Sequence, residues 1–174
     1  LTIPLSITIR IGESVQTGTP SAPVSEKLAP EIAEEAARPR IYYEGYRGYD
    51  PDFLGIAVPL PQLTEEQRRN AAKNSDATAD DDPTLLPYTH FSVVINRRRQ
   101  LAYYTVVNID GGQSTDLTRG KDRWYYDSRI AESEQIGEAL YRRNALDRGH
   151  LVRRLDPVWG AQAGRANDDT FHFT

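Results

Sequence analysis

Asp147-Arg148-Gly149-His150 sets a carboxylate, a guanidinium and an imidazole side by side, interrupted by a residue without a side chain. An imidazole titrates near neutrality, so His150 is suited to take a proton from water. Arg148 offers a planar fork that matches two phosphate oxygens. Two residues apart on extended backbone, both would share one face and one substrate. Gly149 would let the chain turn tightly and a sugar-phosphate backbone come close. Asp147, pointing the other way, would anchor Arg148 or a neighbouring amide. The chemistry such a set suits is metal-assisted cleavage of a phosphodiester. That reaction needs an activated water, neutralised phosphoryl oxygens and help for the leaving oxygen.

Four residues alone are a weak signal, and their setting adds to it. Arginines cluster at Arg97-Arg98-Arg99, at Arg142-Arg143, and at Arg148 with Arg153-Arg154. Residues 1–90 hold 8 Lys/Arg against 14 Asp/Glu, and residues 91–174 hold 13 against 11, within a net charge of −4. The overall sign argues against a coat of nucleic acid, but the groups near His150 read as phosphate-facing. Arg97 to Arg99 fits a solvated turn equally well. Asp80-Asp81-Asp82 reads as a solvated loop, because adjacent carboxylates in a regular element cannot all face one ion. His90 and His172 read as structural imidazoles, and Asp110 as a turn residue. Trp124, Tyr125 and Tyr126 fit either stacking on bases or burial near a sheet edge.

Composition bounds the rest. A chain of 174 residues suits one domain, and 39% apolar with 26% charged residues allows a packed core. Mean hydropathy is −0.61, and no apolar run reaches the ~20 residues of a membrane helix. No secretory signal can be read, which leaves a cytoplasmic or a secreted bacterial protein open. Cysteine is absent, so disulfides and thiolate metal sites are excluded. Methionine is absent too, including at position 1, so the start reads as a processed product or a fragment.

The elements that must hold the motif follow from periodicity. Residues 1–12 alternate as an isolated strand, from a preceding domain or packed on a partner. Residues 13–40 read as a linker and a short helix over Lys27 to Ala37. Tyr42 to Asp50 reads as loop, Phe53 to Leu60 as a short strand, and Thr64 as the cap of a helix. His90 to Ile95 and Leu101 to Val107 read as a hairpin without glycine in its turn. Ala131 to Arg143 is weakly helical, Ala161 to Asp169 a short helix, and Thr170 to Phe173 a terminal strand.

With the motif in this setting, followed by Leu151 to Gly160 and Ala166 to Thr174, residues 41–174 resemble the DNA/RNA non-specific endonucleases. That family includes endonuclease G and the Serratia-type nucleases. The hairpin ending Thr105-Val106-Val107-Asn108-Ile109-Asp110-Gly111 is similar to its central strands. The resemblance implies an α+β, ββα-metal fold with a central antiparallel sheet flanked by helices and long loops. It implies sugar-non-specific hydrolysis of DNA and RNA, with His150 activating the water and Arg148 beside the substrate. Asp147, Gly149 and Arg153 would support or bind substrate, and Arg123 or Arg129 matches an upstream arginine. It also implies Mg²⁺ or Mn²⁺ held by an asparagine, with a glutamate behind it. Both are expected beyond Thr174, since Asn167 lies too early in the pattern; no metal ligand is expected in this chain. The domain is therefore expected to be incomplete at its C-terminus, and inactive or unstable alone.

Expected partners are DNA and RNA, a complementary C-terminal fragment or larger parent protein, an inhibitor or regulatory partner, and a second copy of the chain; no membrane is expected. The competing expectations are a nuclease fold that has lost catalysis and serves interaction, or a nucleic-acid-binding protein that uses its arginine clusters. Preference between DNA and RNA is not readable.

Overall fold

The structure, a computed structural model, describes residues 37–143 and 145–174. The expected first strand, the linker and nearly all of the Lys27 to Ala37 helix lie outside the described residues. What is described falls within one compact unit, Ala33–Thr174.

Phe91-Ser92-Val93-Val94-Ile95-Asn96 forms the central strand. An apolar run with β-branched residues packs well on a pleated surface and cannot face water on either side. It pairs antiparallel on both flanks in a three-stranded sheet of order β1-β2-β3, with β1 at Leu86–Tyr88, β2 at Phe91–Asn96 and β3 at Leu101–Val107. Tyr88 faces Phe91 across one hairpin, and Phe91 faces Val107 across the other. Register shifts between Val94, opposite Tyr104, and Ile95, opposite Ala102, so Tyr103 is the extra residue of a β-bulge.

Both hairpin turns manage without glycine. His90 takes φ 67° between β1 and β2, and Gln100 takes φ 57° between β2 and β3. The second turn is held by the Asn96 side chain, which accepts from the amides of Arg98 and Arg99 at 3.0 and 3.2 Å. Arg97, Arg98 and Arg99 stand exposed there, the solvated-turn alternative.

Helix α1, Glu65–Asn70, starts with a capping box. The Thr64 hydroxyl accepts from the Gln67 amide, and the Gln67 side chain accepts from the Thr64 amide at 2.8 Å. Glu65 and Glu66 in its first turn and Arg68 and Arg69 in its last complement the helix dipole. Helix α2 is Glu138–Tyr141 and α3 is Ala163–Asp169. The weak helical pattern of Ala131 to Arg143 thus becomes a 3-10 turn at Glu132–Glu134 and then α2.

Two expected strands are corrected. Phe53 to Leu60 is turn and irregular chain, with Leu54 and Ile56 each 67% exposed, and it joins neither edge of the described sheet. Thr170 to Phe173 is not a regular strand; its pairing is a single parallel bridge between Tyr125 and His172. Tyr42 to Asp50, expected as loop, opens with a 3-10 turn at Arg40–Tyr43.

Under the sheet lies a core of Tyr43, Leu86, Tyr88, Phe91, Val93, Ile95, Ile130 and Val152. An ion pair is buried in it. Arg129 donates to Asp127 through Nη2 at 2.7 Å and to the Pro87 carbonyl through Nη1 at 2.7 Å, with side chains 2% and 0% exposed. The guanidinium lies against the rings of Tyr43 and Tyr88, at 4.0 and 4.7 Å. Tyr88 donates to Asp127, and Gln135 exchanges bonds with the Asp127 backbone at 2.7 and 2.9 Å. Burial raises Asp127, but the hydrogen bond and charge of Arg129 outweigh it and hold the carboxyl below its usual range.

The network continues to the last residues. His172 donates through Nδ1 to the Asp169 carbonyl and accepts from the Tyr43 hydroxyl, both at 2.9 Å. The Asp169 carboxylate accepts from the Tyr42 and Tyr46 hydroxyls at 2.7 Å and from the Thr89 amide at 2.9 Å. Burial and the nearby Asp169 charge push the Tyr46 phenol up to about 12.

Candidate active site

Residues 119–127, α2, residues 145–154 and residues 170–173 carry the motif and its neighbours. Tyr125 is fastened between Phe171 and Phe173: its amide donates to the Phe171 carbonyl, and its carbonyl accepts from the Phe173 amide, each at 2.9 Å. Alternation along 171–173 then divides the side chains. His172 turns inward to Tyr43, while Phe171 and Phe173 pack with Trp124 as a second cluster, joined by Tyr126 and Tyr141.

His150 stands against that aromatic wall. Its ring is 4.6 Å from Phe171, edge to face, and 5.0 Å from Trp124. The imidazole is half-buried, and its Nε2 is shielded from solvent without a hydrogen-bond partner. Burial pulls its pKa below the usual 6.5, opposed by the charge of Asp122 and helped by Arg119 and Arg154. A neutral ring with an unengaged nitrogen is the form a proton acceptor needs at neutral pH.

Arg148 reaches the same wall from another side. It pairs with Glu138, both side chains 19% exposed, and its guanidinium lies 5.3 Å from the Tyr141 ring. Its Nε is buried without a partner. Asp147 and Gly149 are exposed. Gly149 does not use the left-handed region, so the tight turn expected of it is not what it supplies. A Cβ there would meet nothing within 4 Å, which keeps this edge open to an approaching chain.

The remaining sequence candidates separate. Arg153 is exposed and lies 3.6 Å from Asp156, and Arg123 is exposed beside Trp124. Arg154 donates to the Asn167 side chain at 2.7 Å and the Leu117 carbonyl at 3.1 Å. Arg129 lies in the core with its donors spent on Asp127 and Pro87, so it has no face to offer a phosphate. His90 is structural: Nδ1 donates to the Pro157 carbonyl at 2.8 Å and the ring stacks on Trp159 at 3.5 Å. Asp110 holds a turn, accepting from Gly112 and Gln113. Asp81 and Asp82 cap local amides beside Thr78 and Thr84.

Sequence reasoning missed Asp127, Asp169, Glu138 and Asp122. Glu138 could have been found as the acid beginning a helical pattern that ends at Tyr141. Asp127 and Asp169 gave no local signal.

Among the described residues no three His, Asp or Glu side chains gather as they would around a metal ion. Asp122, the acid whose charge reaches His150, is already engaged by Arg119 at 3.0 Å. A pocket of about 200 Å³ lined by Tyr49, Phe53, Leu54, Val58, Val107 and Ile109 shares no residue with the surroundings of His150. A mainly apolar hollow with Asp50 in its lining is also the wrong chemistry for a phosphate backbone, which binds on open basic surface.

The buried histidine makes one prediction. Burial lowers His172 below 6.5 while the Asp127 and Asp169 charges oppose it, and Arg129 adds to the lowering. The unfolded chain therefore binds the proton more readily than the folded one. Stability is full above about pH 6.5 and is lost as pH falls through that value toward the folded pKa; His150 adds in the same direction. Thermal midpoints should drop from about pH 7.5 to about pH 5.5, and His172→Gln should flatten the drop. Equal slopes in the two proteins would remove His172 from this account.

The sequence profile of the DNA/RNA non-specific endonucleases matches residues 68–174. A curated relative from Sinorhizobium fredii (strain NBRC 101917 / NGR234), "Uncharacterized protein y4fB", is 46% identical over 178 residues, which take in 94% of this chain and 26% of the relative. The chain thus spans about a quarter of the length of that relative. No solved structure matches it. The profile reaches over more than half of the chain, includes the whole stretch around His150, and accompanies an α+β unit with a central antiparallel sheet: the chain belongs to the DNA/RNA non-specific endonuclease family.

Proposed function

We propose that this chain carries the proton-accepting side of a sugar-non-specific endonuclease that hydrolyses phosphodiester bonds of DNA and RNA. The His150 imidazole takes a proton from a water molecule, the water oxygen bonds to phosphorus, and the bond to the 3′ oxygen breaks. That oxygen takes its proton from solvent. Arg148 holds a phosphoryl oxygen, and Arg123 and Arg153 meet the backbone on either side, with Asp147 and Gly149 at the open edge. No substrate contact is proposed for Arg129. The observation that carries the reading is the half-buried His150 imidazole set against Trp124 and Phe171, in a ring whose pKa burial lowers. Backbone phosphates carry no base information, which suits cleavage without sequence or sugar preference.

The proposed cofactor is Mg²⁺ or Mn²⁺, with an asparagine and a glutamate beyond Thr174 as its ligands. A larger parent protein or a complementary fragment would bring them. An inhibitor and a second copy of the chain remain proposed partners of such an activity. The test is incubation of the full-length polypeptide with supercoiled plasmid and with single-stranded RNA, in Mg²⁺ or Mn²⁺ and in excess chelator. Both substrates should be cut with either metal and neither with chelator. Binding of both without cleavage would leave the interaction or nucleic-acid-binding reading instead.

A further inference from the structure

Helix α2 is too short to persist by its own hydrogen bonds, so its position must be imposed from outside. Gly137 precedes it, and the Tyr126 phenol occupies the space a Cβ at Gly137 would need. Tyr126 in turn packs on Phe173 at 5.0 Å. The start of α2 is therefore seated on the aromatic wall that also carries His150. Glu138 and Tyr141, three residues apart, share one face of the helix. Both meet Arg148: Glu138 by an ion pair, Tyr141 by its ring. A carboxylate and a ring on one face fix both the charge and the plane of a guanidinium.

We propose that Glu138 is the positioning residue for Arg148; this rests on the nuclease reading above. The pair lies at the rim of the wall with each side chain 19% exposed. It is therefore less screened than a surface pair, and its rotamers are held. Glu138 engages Nη2 and leaves Nε buried and unmet. With the charge and plane of the guanidinium fixed, the rest of the fork is what a phosphate oxygen would meet on binding. Glu138 is assigned no contact of its own with the attacking water or the phosphate. It acts through the orientation of Arg148, as a misplacement of about 1 Å can cost on the order of 10²-fold in rate.

The test is a double-mutant cycle in the full-length protein with Glu138→Gln, Arg148→Ala and both together. The first readout is kcat/KM on plasmid; the second is affinity for a labelled single-stranded DNA oligonucleotide in excess EDTA. Glu138→Gln should lower kcat/KM about 10–10²-fold and weaken oligonucleotide binding, with the thermal midpoint held. Neither effect should appear in the Arg148→Ala background. Losses that multiply in the double variant would overturn the proposal, as would a Glu138→Gln protein that cuts faster than wild type. Glu138→Ala serves in the same cycle if Glu138→Gln does not fold. Absence of cleavage by the wild-type protein would sink the nuclease reading. The binding cycle would still decide Glu138, and no loss of binding in Arg148→Ala would refute its role.

Discussion

Arg129→Met is expected to cost the fold about 3–5 kcal/mol, a large share of the 5–15 kcal/mol typical of a domain. The size does not come from the ion pair itself. Taking two charges out of water roughly cancels their attraction, so the intact Asp127–Arg129 pair contributes little net stability. Removing one partner is another matter. Asp127 is 0% exposed, and without the guanidinium its carboxylate keeps the Tyr88 hydroxyl and the backbone amide of residue 129. A buried carboxylate so placed must either stay charged at high cost or take up a proton. The rings of Tyr43 and Tyr88 also lose the cation between them. Urea unfolding of Arg129→Met and of Asp127→Asn with Arg129→Met decides the matter. The double variant should lose less than the single one, because its buried charge is gone. Additive losses, or a single-variant cost below about 1 kcal/mol, would show that the pair behaves like a surface bridge.

His150→Ala is expected to lower kcat on plasmid by about 10²–10⁴-fold, the usual contribution of a positioned general base. The fold should survive, since the ring is half-buried at the outer face of the Trp124–Phe171 contact rather than in the main core. The wild-type pH profile should have an acid limb that falls below pH 6.5, because burial lowers the imidazole and only its neutral form accepts a proton. That limb should be missing from the residual activity of the variant. Unchanged kcat in His150→Ala would end the assignment, whatever the protein's affinity for nucleic acid.

What the sequence made legible was local. The Thr64 capping box needs only Gln67, and β2 and β3 announce themselves through consecutive β-branched residues. The non-local parts were out of reach. Arg129 reads as a match to a substrate-side arginine until Tyr43 and Tyr88, distant in the chain, close over it and Asp127. Phe53 to Leu60 has the apolar content of a strand but turns outward and exposes Leu54 and Ile56, so composition misled. At Thr170 to Phe173 the alternation was right and the ladder was absent, which still sufficed to part His172 from Phe171. For the candidate site, the motif marked His150 and Arg148, but only folding brings Trp124, Phe171 and Glu138 to them.

Asp169 takes hydroxyl donors from Tyr42 and Tyr46 and an amide from Thr89. The boundary of the recognisable family sequence at residue 68 is therefore not a boundary of the folded body. A version trimmed to that point would strand a dry carboxylate next to the strap that carries the aromatic wall, and would strip Tyr43 from the core. The tyrosine-rich approach is part of the scaffold, and any shortened form meant to stand by itself has to start ahead of it.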